Sequence, residues 1–190
     1  AGAACKTLTI ETGASVTMGG AYSFNIYGNW TNNGTFSPSK STVAFKASGT
    51  VAGTSTTTFH NLTIDASQTL TASSATMNIT GHWTNNGTFT NNSGTVVFNG
   101  TTAQDITGVS IFNNLTINNA AGVVGKSNLT VNGVLNLASE SPNETNGTIE
   151  MTVDYASYSN VLTETAYLTT TKTQAHDILD SKILYMGANA

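Results

Sequence analysis

Charge is scarce in this chain, and one kind of charged residue is missing altogether. Only 8% of the 190 residues are charged, no arginine occurs, and the formal net charge is -4, whereas an average domain carries roughly 25% charged residues. Without arginine and without a basic patch, the chain lacks the positive surface that binds phosphate backbones. We therefore expect no nucleic acid among its partners.

Cysteine and long apolar runs are equally scarce. Cys5 is the sole cysteine, so it forms no disulfide within the chain, and we interpret it as an incidental thiol or as a bond to another subunit. No apolar run approaches the roughly 18 residues that a membrane span needs, so no membrane span is expected. The small residues at the start fit a chain cut by signal peptidase, which indicates a secreted protein, extracellular or at the cell surface.

Residues with catalytic potential are few and scattered. The three histidines, His60, His82 and His176, are far apart in sequence and have no metal-ligand spacing. None of the ten acidic residues recurs from one repeat to the next, and no G-x-S-x-G, H-E-x-x-H, P-loop or calcium motif is present. We therefore predict that the chain is not an enzyme and has no metal and no other cofactor.

What the chain does have is a repeat of about 53 residues. It is visible in three sets of segments: GNWTNNGTF at 28–36 and 81–89 (with His in place of the first Asn), STVAF at 41–45 and GTVVF at 94–98, and LTI at 8–10, 62–64 and 115–117. A weaker third copy continues this pattern. We divide the chain into a repeat β domain, 1–151, with copies at about 8–60, 61–113 and 114–151, and a tail, 152–190, that is either a cap or a piece that docks into a neighbouring subunit.

The local pattern predicts an all-β protein. Short runs rich in Thr, Val and Ile are separated by clusters of Gly, Asn and Ser every eight to ten residues. With roughly 22–27 residues for a coil of three strands, each repeat would hold two coils of a β-solenoid (β-helix). An antiparallel β-sandwich with tight hairpins at Asn33-Gly34 and Asn86-Gly87 is the alternative.

Two coils per repeat would stack equivalent side chains in internal ladders. The expected ladders are Ile10, Ile64 and Ile117; Phe45, Phe98 and Met151; and Ile26, Ile79 and Val131. Trp30 and Trp83 occupy equivalent positions, and we expect them to cover the core beside Phe36 and Phe89 rather than to bind sugar rings.

Eleven Asn-x-Ser/Thr sequons occur in the chain. Such motifs accept N-linked glycans on exposed loops of secreted proteins. A coat of glycans would keep a surface with so little charge in solution. Asparagines at turns should be better acceptors than Asn61 and Asn114, which lie beside the LTI strands. The candidate acceptors are Asn33, Asn86, Asn91, Asn99, Asn143 and Asn146.

The string GNWTNNGTF…STVAF…TFHNLTI and its second copy resemble repeats of large secreted surface proteins of bacteria and archaea. The resemblance covers roughly 6–137 and implies β-solenoid or β-rich stalk modules, without catalytic residues to carry over. The chain differs from these proteins in having only two good copies, and its tail matches none of them. A short chain of this kind would extend outward by assembling with others.

These observations predict a structural subunit of an extracellular filament or surface layer. Copies would assemble head to tail as a homopolymer, with terminal segment 1–10 or 160–190 pairing with a neighbour. The candidate assembly residues are Cys5, Leu8, Ile10, Tyr167, Leu168 and Tyr185. The alternative is a non-catalytic adhesin or glycan-binding module of a larger surface protein, which would add surface glycans to its partners.

Overall fold

A computed structural model describes residues 2–138, 149–151 and 167–170. Within these ranges the chain forms short β-strands and no helix. The strands are β1 (Ala3–Cys5), β2 (Leu8–Ile10), β3 (Ser15–Thr17), β4 (Ser23–Ile26), β5 (Trp30–Asn32), β6 (Thr35–Ser37), β7 (Thr42–Phe45), β8 (Gly49–Ala52), β9 (Thr57–Phe59), β10 (Asn61–Ile64), β11 (Thr69–Ala72), β12 (Thr76–Ile79), β13 (Trp83–Asn85), β14 (Thr88–Thr90), β15 (Thr95–Phe98), β16 (Gln104–Thr107), β17 (Ser110–Phe112), β18 (Asn114–Ile117), β19 (Val123–Gly125), β20 (Leu129–Val131), β21 (Val134–Leu137), β22 (Ile149–Met151) and β23 (Tyr167–Thr170).

From β1 to β22, every third strand lies on the same face, so the chain winds around three faces. The first face is one sheet in the order β1-β4-β7-β10-β13-β16-β19-β22. The second face contains β2-β5-β8-β11-β14 and then β17-β20, and the third contains β3-β6 and then β9-β12-β15-β18-β21-β23. One strand from each face makes a coil, from the first coil (β1–β3) to the seventh (β19–β21).

The prediction of a β-solenoid is confirmed, and the antiparallel sandwich is excluded. All the paired strands are parallel, as in β4–β7 and β7–β10. Asn33-Gly34 and Asn86-Gly87 make no hairpin. They turn the chain from one face to the next, from β5 to β6 and from β13 to β14.

The coil is shorter than the sequence suggested, at about 19 residues per turn. A repeat of about 53 residues therefore spans eight strands, as from β5 to β13, and two coils per repeat is wrong. Tight corners shorten the coil. Gly53 and Gly108 adopt φ values of +121° and +87°, and a Cβ on either would overlap the backbone carbonyl of Asn32 or Asn85 in the coil before.

A coil has three strands, so eight strands are two coils and two further strands. Equivalent residues of successive repeats therefore lie on different faces. Ile10, Ile64 and Ile117 lie in β2, β10 and β18, which belong to the second, first and third faces. The predicted ladder of these three residues is therefore wrong.

The other two predicted ladders fail for the same reason. Ile26, Ile79 and Val131 lie on three different faces, and Phe98 lies on a different face from Phe45 and Met151. The ladders that form mix positions of the repeat, such as Ile26–Phe45–Ile64 on the first face and Phe59–Ile79–Phe98–Ile117 on the third. Stacking requires an apolar neighbour above and below, and that neighbour need not be an identical residue.

The repeat instead preserves an aromatic cluster in the core. Ring centroids of Trp30 lie 4.6 Å from Phe36 and 5.0 Å from Phe59. Trp83 repeats this arrangement, at 4.8 Å from Phe89 and 5.4 Å from Phe112. Both tryptophans are fully buried, which confirms that they pack in the core and excludes them as platforms for sugar rings.

Candidate assembly site and glycan acceptors

The first coil lies at one end of the described stack. Its strands β1, β2 and β3 pair with β4, β5 and β6, and no other described strand pairs with their outer edges. One row of backbone N–H and C=O groups on each strand is therefore available to a further strand. Such rows are templates for pairing between chains.

The apolar interior also opens at this end. Ile10 is buried, but Cys5, Leu8, Val16 and Met18 are only partly buried against the core. Burial raises the pKa of the Cys5 thiol, so this cysteine behaves as a small apolar residue of the opening. Of the predicted assembly residues, the fold brings Cys5, Leu8 and Ile10 together here.

Sequence reasoning missed Val16 and Met18, which line the same opening. Their signal was present in the strand pattern SVTM, since alternate residues of a strand face the same side. What the pattern lacked was the position of this strand in the terminal coil.

The edge lacks the features that usually block strand pairing. Natural edges carry charges, proline or bulges that discourage a partner. The strands Ala-Ala-Cys, Leu-Thr-Ile and Ser-Val-Thr contain no charged residue and no proline. Lys6 and Glu11, the nearest charged residues, lie in the turns.

At the other end, two strands extend the faces beyond the seventh coil. β22 pairs with β19, and β23 pairs with β21, where Tyr167 and Leu168 stand opposite Val134 and Leu135. β23 belongs to the predicted tail and adds a strand to the third face. Tyr185 lies outside the described residues.

Several sequon asparagines are built into the stack through their amide nitrogens. Asn61 Nδ2 donates to Thr42 Oγ1 at 3.4 Å, and the same bond recurs one repeat later between Asn114 and Thr95 at 3.4 Å. Asn78 Nδ2 donates to Thr58 Oγ1 at 3.4 Å. Each bond links one coil to the coil before it.

The carboxamide oxygens complete these links. Asn61 Oδ1 accepts a hydrogen bond from the His82 backbone N–H at 2.8 Å, and Asn114 Oδ1 accepts one from Val134 at 2.9 Å. Both N–H groups lie at the start of a strand, where pairing with a neighbouring strand does not supply an acceptor. The asparagine side chain supplies that acceptor. The amides of Asn61 and Asn114 therefore hold neighbouring coils together.

The predicted glycan acceptors differ in their surroundings. Asn86 is exposed, whereas Asn33 is half-buried and its Oδ1 accepts a bond from the Thr54 N–H at 3.0 Å. Asn91 is bonded through both polar atoms, to the Ile111 carbonyl at 3.2 Å and the Ser93 N–H at 3.3 Å. Asn99 is half-buried, with its Oδ1 enclosed and unpaired. Asn143 and Asn146 lie outside the described residues.

Other asparagines lie inside the stack, which sequence reasoning missed. Asn32 is fully buried and donates to Thr57 Oγ1 at 3.3 Å, and Asn85, one repeat later, donates to Ser110 Oγ at 3.3 Å. Their oxygens accept bonds from Gly34 and Gly87 across the turn. In each of the turns at 32–34 and 85–87, the first asparagine therefore faces the core and the second faces outward.

Charged groups form a few ion pairs between coils. Lys46 Nζ lies 2.9 Å from Asp65 Oδ2, and Lys126 Nζ lies 2.7 Å from Asp105 Oδ2. In the described part of the chain, no group of three or more His, Cys, Asp or Glu residues could hold a metal ion. A cavity lined by residues including Val51 and Met77 encloses about 10 Å³, room for about one water molecule.

No protein-family model, curated protein or solved structure matches the chain. Over the residues that the structure describes, no helix is long and apolar enough to cross a membrane. Proposals about function therefore rest on the open coil and on the sequon asparagines.

Proposed function

We propose that the chain is a secreted, glycosylated structural subunit of an extracellular filament or surface layer, and that copies assemble head to tail through terminal β-strands. The resemblance of its repeats to stalk modules of bacterial and archaeal surface proteins supports this proposal. The observation that carries it is the first coil, whose three outer strand edges have no partner among the described strands and surround an apolar opening.

Head-to-tail contact would continue the solenoid from one copy to the next. Among the described residues, the other end of the stack is formed by β22 and β23, which pair in parallel with the strands before them, and β23 contains only Tyr, Leu and Thr. Each backbone hydrogen bond formed in such a contact would contribute about 0.5–1.5 kcal/mol. Burial of the apolar opening would add about 25 cal/mol for each Å² covered.

Low charge favours the same outcome. Net charge keeps proteins apart by mutual repulsion, and this chain has a formal net charge of -4 over 190 residues. A contact whose rotation does not close a ring gives an open fibre. The mechanism needs no catalytic residue and no cofactor, and its partner is a second copy of the chain.

Leu8→Lys tests the proposal. Leu8 is partly buried at the opening, and a lysine there can extend its ammonium group into water through the open end, so the variant should fold. The charge would then sit inside the contact. We expect the intact chain to form fibres in negative-stain images and the variant to sediment as a monomer with an unchanged β circular dichroism spectrum.

Thr90→Lys is the matched control, because Thr90 is exposed in β14 of the fifth coil and belongs to no sequon. This variant adds the same charge away from both ends and should form normal fibres. An intact chain that stays monomeric at high concentration contradicts the proposal and favours an adhesin or glycan-binding module. Normal fibres from Leu8→Lys contradict the role of the first coil.

A further inference from the structure

The eleven sequons are not equivalent in the folded chain. A glycan attached to an asparagine occupies space around Nδ2, so the folded protein can carry it only where this nitrogen faces solvent. Four sequon asparagines, here called the closed sequons, use Nδ2 as a donor to another coil: Asn61, Asn78, Asn91 and Asn114. Three of them, Asn61, Asn91 and Asn114, also use Oδ1 as an acceptor.

Three other sequon asparagines, here called the open sequons, are exposed: Asn29, Asn86 and Asn128. Asn29 Oδ1 accepts a bond from the Thr50 N–H at 3.1 Å, and its Nδ2 donates to none of the described residues. The amides of Asn86 and Asn128 have no hydrogen-bond partner among the described residues.

The open sequons lie along one corner of the solenoid, between the first face and the second face. Asn29 lies between β4 and β5, Asn86 between β13 and β14, and Asn128 between β19 and β20. Each of these turns leads from the first face to the second face. The three asparagines therefore stand along one edge of the stack, in the second, fifth and seventh coils.

The spacing along this edge leaves room for separate glycans. Successive coils lie about 4.8 Å apart, as strands in a sheet do. Asn29 and Asn86 are then separated by about 14 Å, and Asn86 and Asn128 by about 10 Å, for three and two coils. None of the closed sequons lies in a turn from the first face to the second face.

We propose that Asn29, Asn86 and Asn128 carry N-linked glycans and form a single glycan-bearing edge, while Asn61, Asn78, Asn91 and Asn114 stay unmodified. This inference rests on the glycoprotein part of the proposed function and names its sites. Glycans on this edge would point away from the stack axis and would leave the first coil uncovered.

Site-by-site occupancy tests this inference on protein from its native source. Peptides are released by proteolysis, the glycans are removed enzymatically in heavy-oxygen water, and labelled aspartate marks each former glycan site by mass spectrometry. We expect label at Asn29, Asn86 and Asn128 and none at the four closed sequons. Label on the closed sequons, or none on the open ones, overturns the inference.

Single substitutions of the sequon threonines give a matched test in the same host. Thr31→Val, Thr88→Val and Thr130→Val each remove one open sequon, keep the branched shape of the side chain and should each lower the intact mass by one glycan. Thr63→Val and Thr116→Val remove the sequons of Asn61 and Asn114 and should leave the mass of the attached glycans unchanged. A glycan lost from either control variant also overturns the inference.

The same samples separate this inference from the assembly proposal. Fibres without any glycan refute the glycan edge and leave assembly standing. Glycans at the three open sequons on a chain that stays monomeric support the edge and refute assembly. Glycans found only at other sequons refute the glycan-bearing edge, but they agree with the proposal that the chain is a glycoprotein.

Discussion

At the scale of single residues, the two tryptophans show how equivalent positions of the repeat can differ. Trp83 Nε1 donates to Ser110 Oγ at 3.0 Å, whereas Trp30 Nε1 is buried without a partner among the described residues. The position equivalent to Ser110 holds Thr57, which accepts a bond from Asn32 at 3.3 Å. Leaving a buried donor without a partner destabilises the fold by more than the hydrogen bond itself contributes.

Ser110→Ala should therefore destabilise the fold by about 1–3 kcal/mol, because Trp83 loses its acceptor. Thr57→Val is the control and should cost less, about 0.5–1.5 kcal/mol, since Trp30 has no acceptor to lose. Urea unfolding followed by tryptophan fluorescence measures both values. Equal losses in the two variants would mean that the indole bond contributes nothing.

A second residue, His60, makes stability depend on pH. Burial, and then the nearby charges of His82 and Lys40, lower the pKa of His60 below its ordinary value. The folded state therefore favours the neutral ring, and the unfolded chain binds the proton more readily as pH falls. The contribution of His60 to the free energy of unfolding is constant above the ordinary histidine pKa. It falls as the pH drops from that value to the lowered pKa of the folded state.

We expect the melting temperature to fall as the pH drops below about 6.5, the ordinary histidine pKa, with a shallower fall in His60→Gln. The ring also bonds Thr80 Oγ1 at 3.1 Å, and glutamine can replace this bond without titrating. Melting temperatures of both proteins across this range provide the measurement. Parallel curves for the two proteins would rule out His60 as the titrating group.

At the scale of strands and corners, two glycines allow conformations that other residues rarely adopt. Gly13 and Gly108 both have positive φ, +80° and +87°. A Cβ on Gly13 would meet no atom within 4 Å, whereas one on Gly108 would overlap the Asn85 carbonyl. The two positions therefore separate backbone strain from contact between coils.

Gly13→Ala should cost about 1–2 kcal/mol, the strain of a left-handed alanine. Gly108→Ala should cost more than 4 kcal/mol, because the fifth and sixth coils must also move apart. Chemical denaturation of both variants gives the difference. Similar losses would mean that the corner can shift without disturbing the neighbouring coil.

At the scale of the whole molecule, each repeat places equivalent strands further along the stack and also on a different face. Leu8 stands opposite Trp30 on the second face, and Leu62 stands opposite Trp83 on the first face. Deleting 29–81 would therefore join Gly28 to His82 and place Trp83 opposite Leu8. The remaining coils would keep their contacts while moving to another face.

We expect this deletion variant to fold, with Trp83 buried and with lower stability, because a solenoid is stabilised by its neighbouring coils. Deleting 29–88 is the control, since it also removes the strand that carries Trp83 and should disrupt the cluster around Phe89. Circular dichroism and thermal unfolding compare the two. A noncooperative transition after deletion of 29–81 would contradict the rotated repeat.

The sequence by itself determined that this protein is a repeat of short strands with its tryptophans in the core, and the tertiary structure decided that the strands pair in parallel as a stack. Thr, Val and Ile favour strands, Asn and Gly favour corners, and the repeat makes Trp30 and Trp83 equivalent. The tertiary structure also decided the coil length, the face of each strand and the surroundings of the sequons that it describes. The partner of Asn61 lies about one coil away in sequence, at Thr42, so its identity depends on how many residues each corner uses, and local patterns do not specify that number.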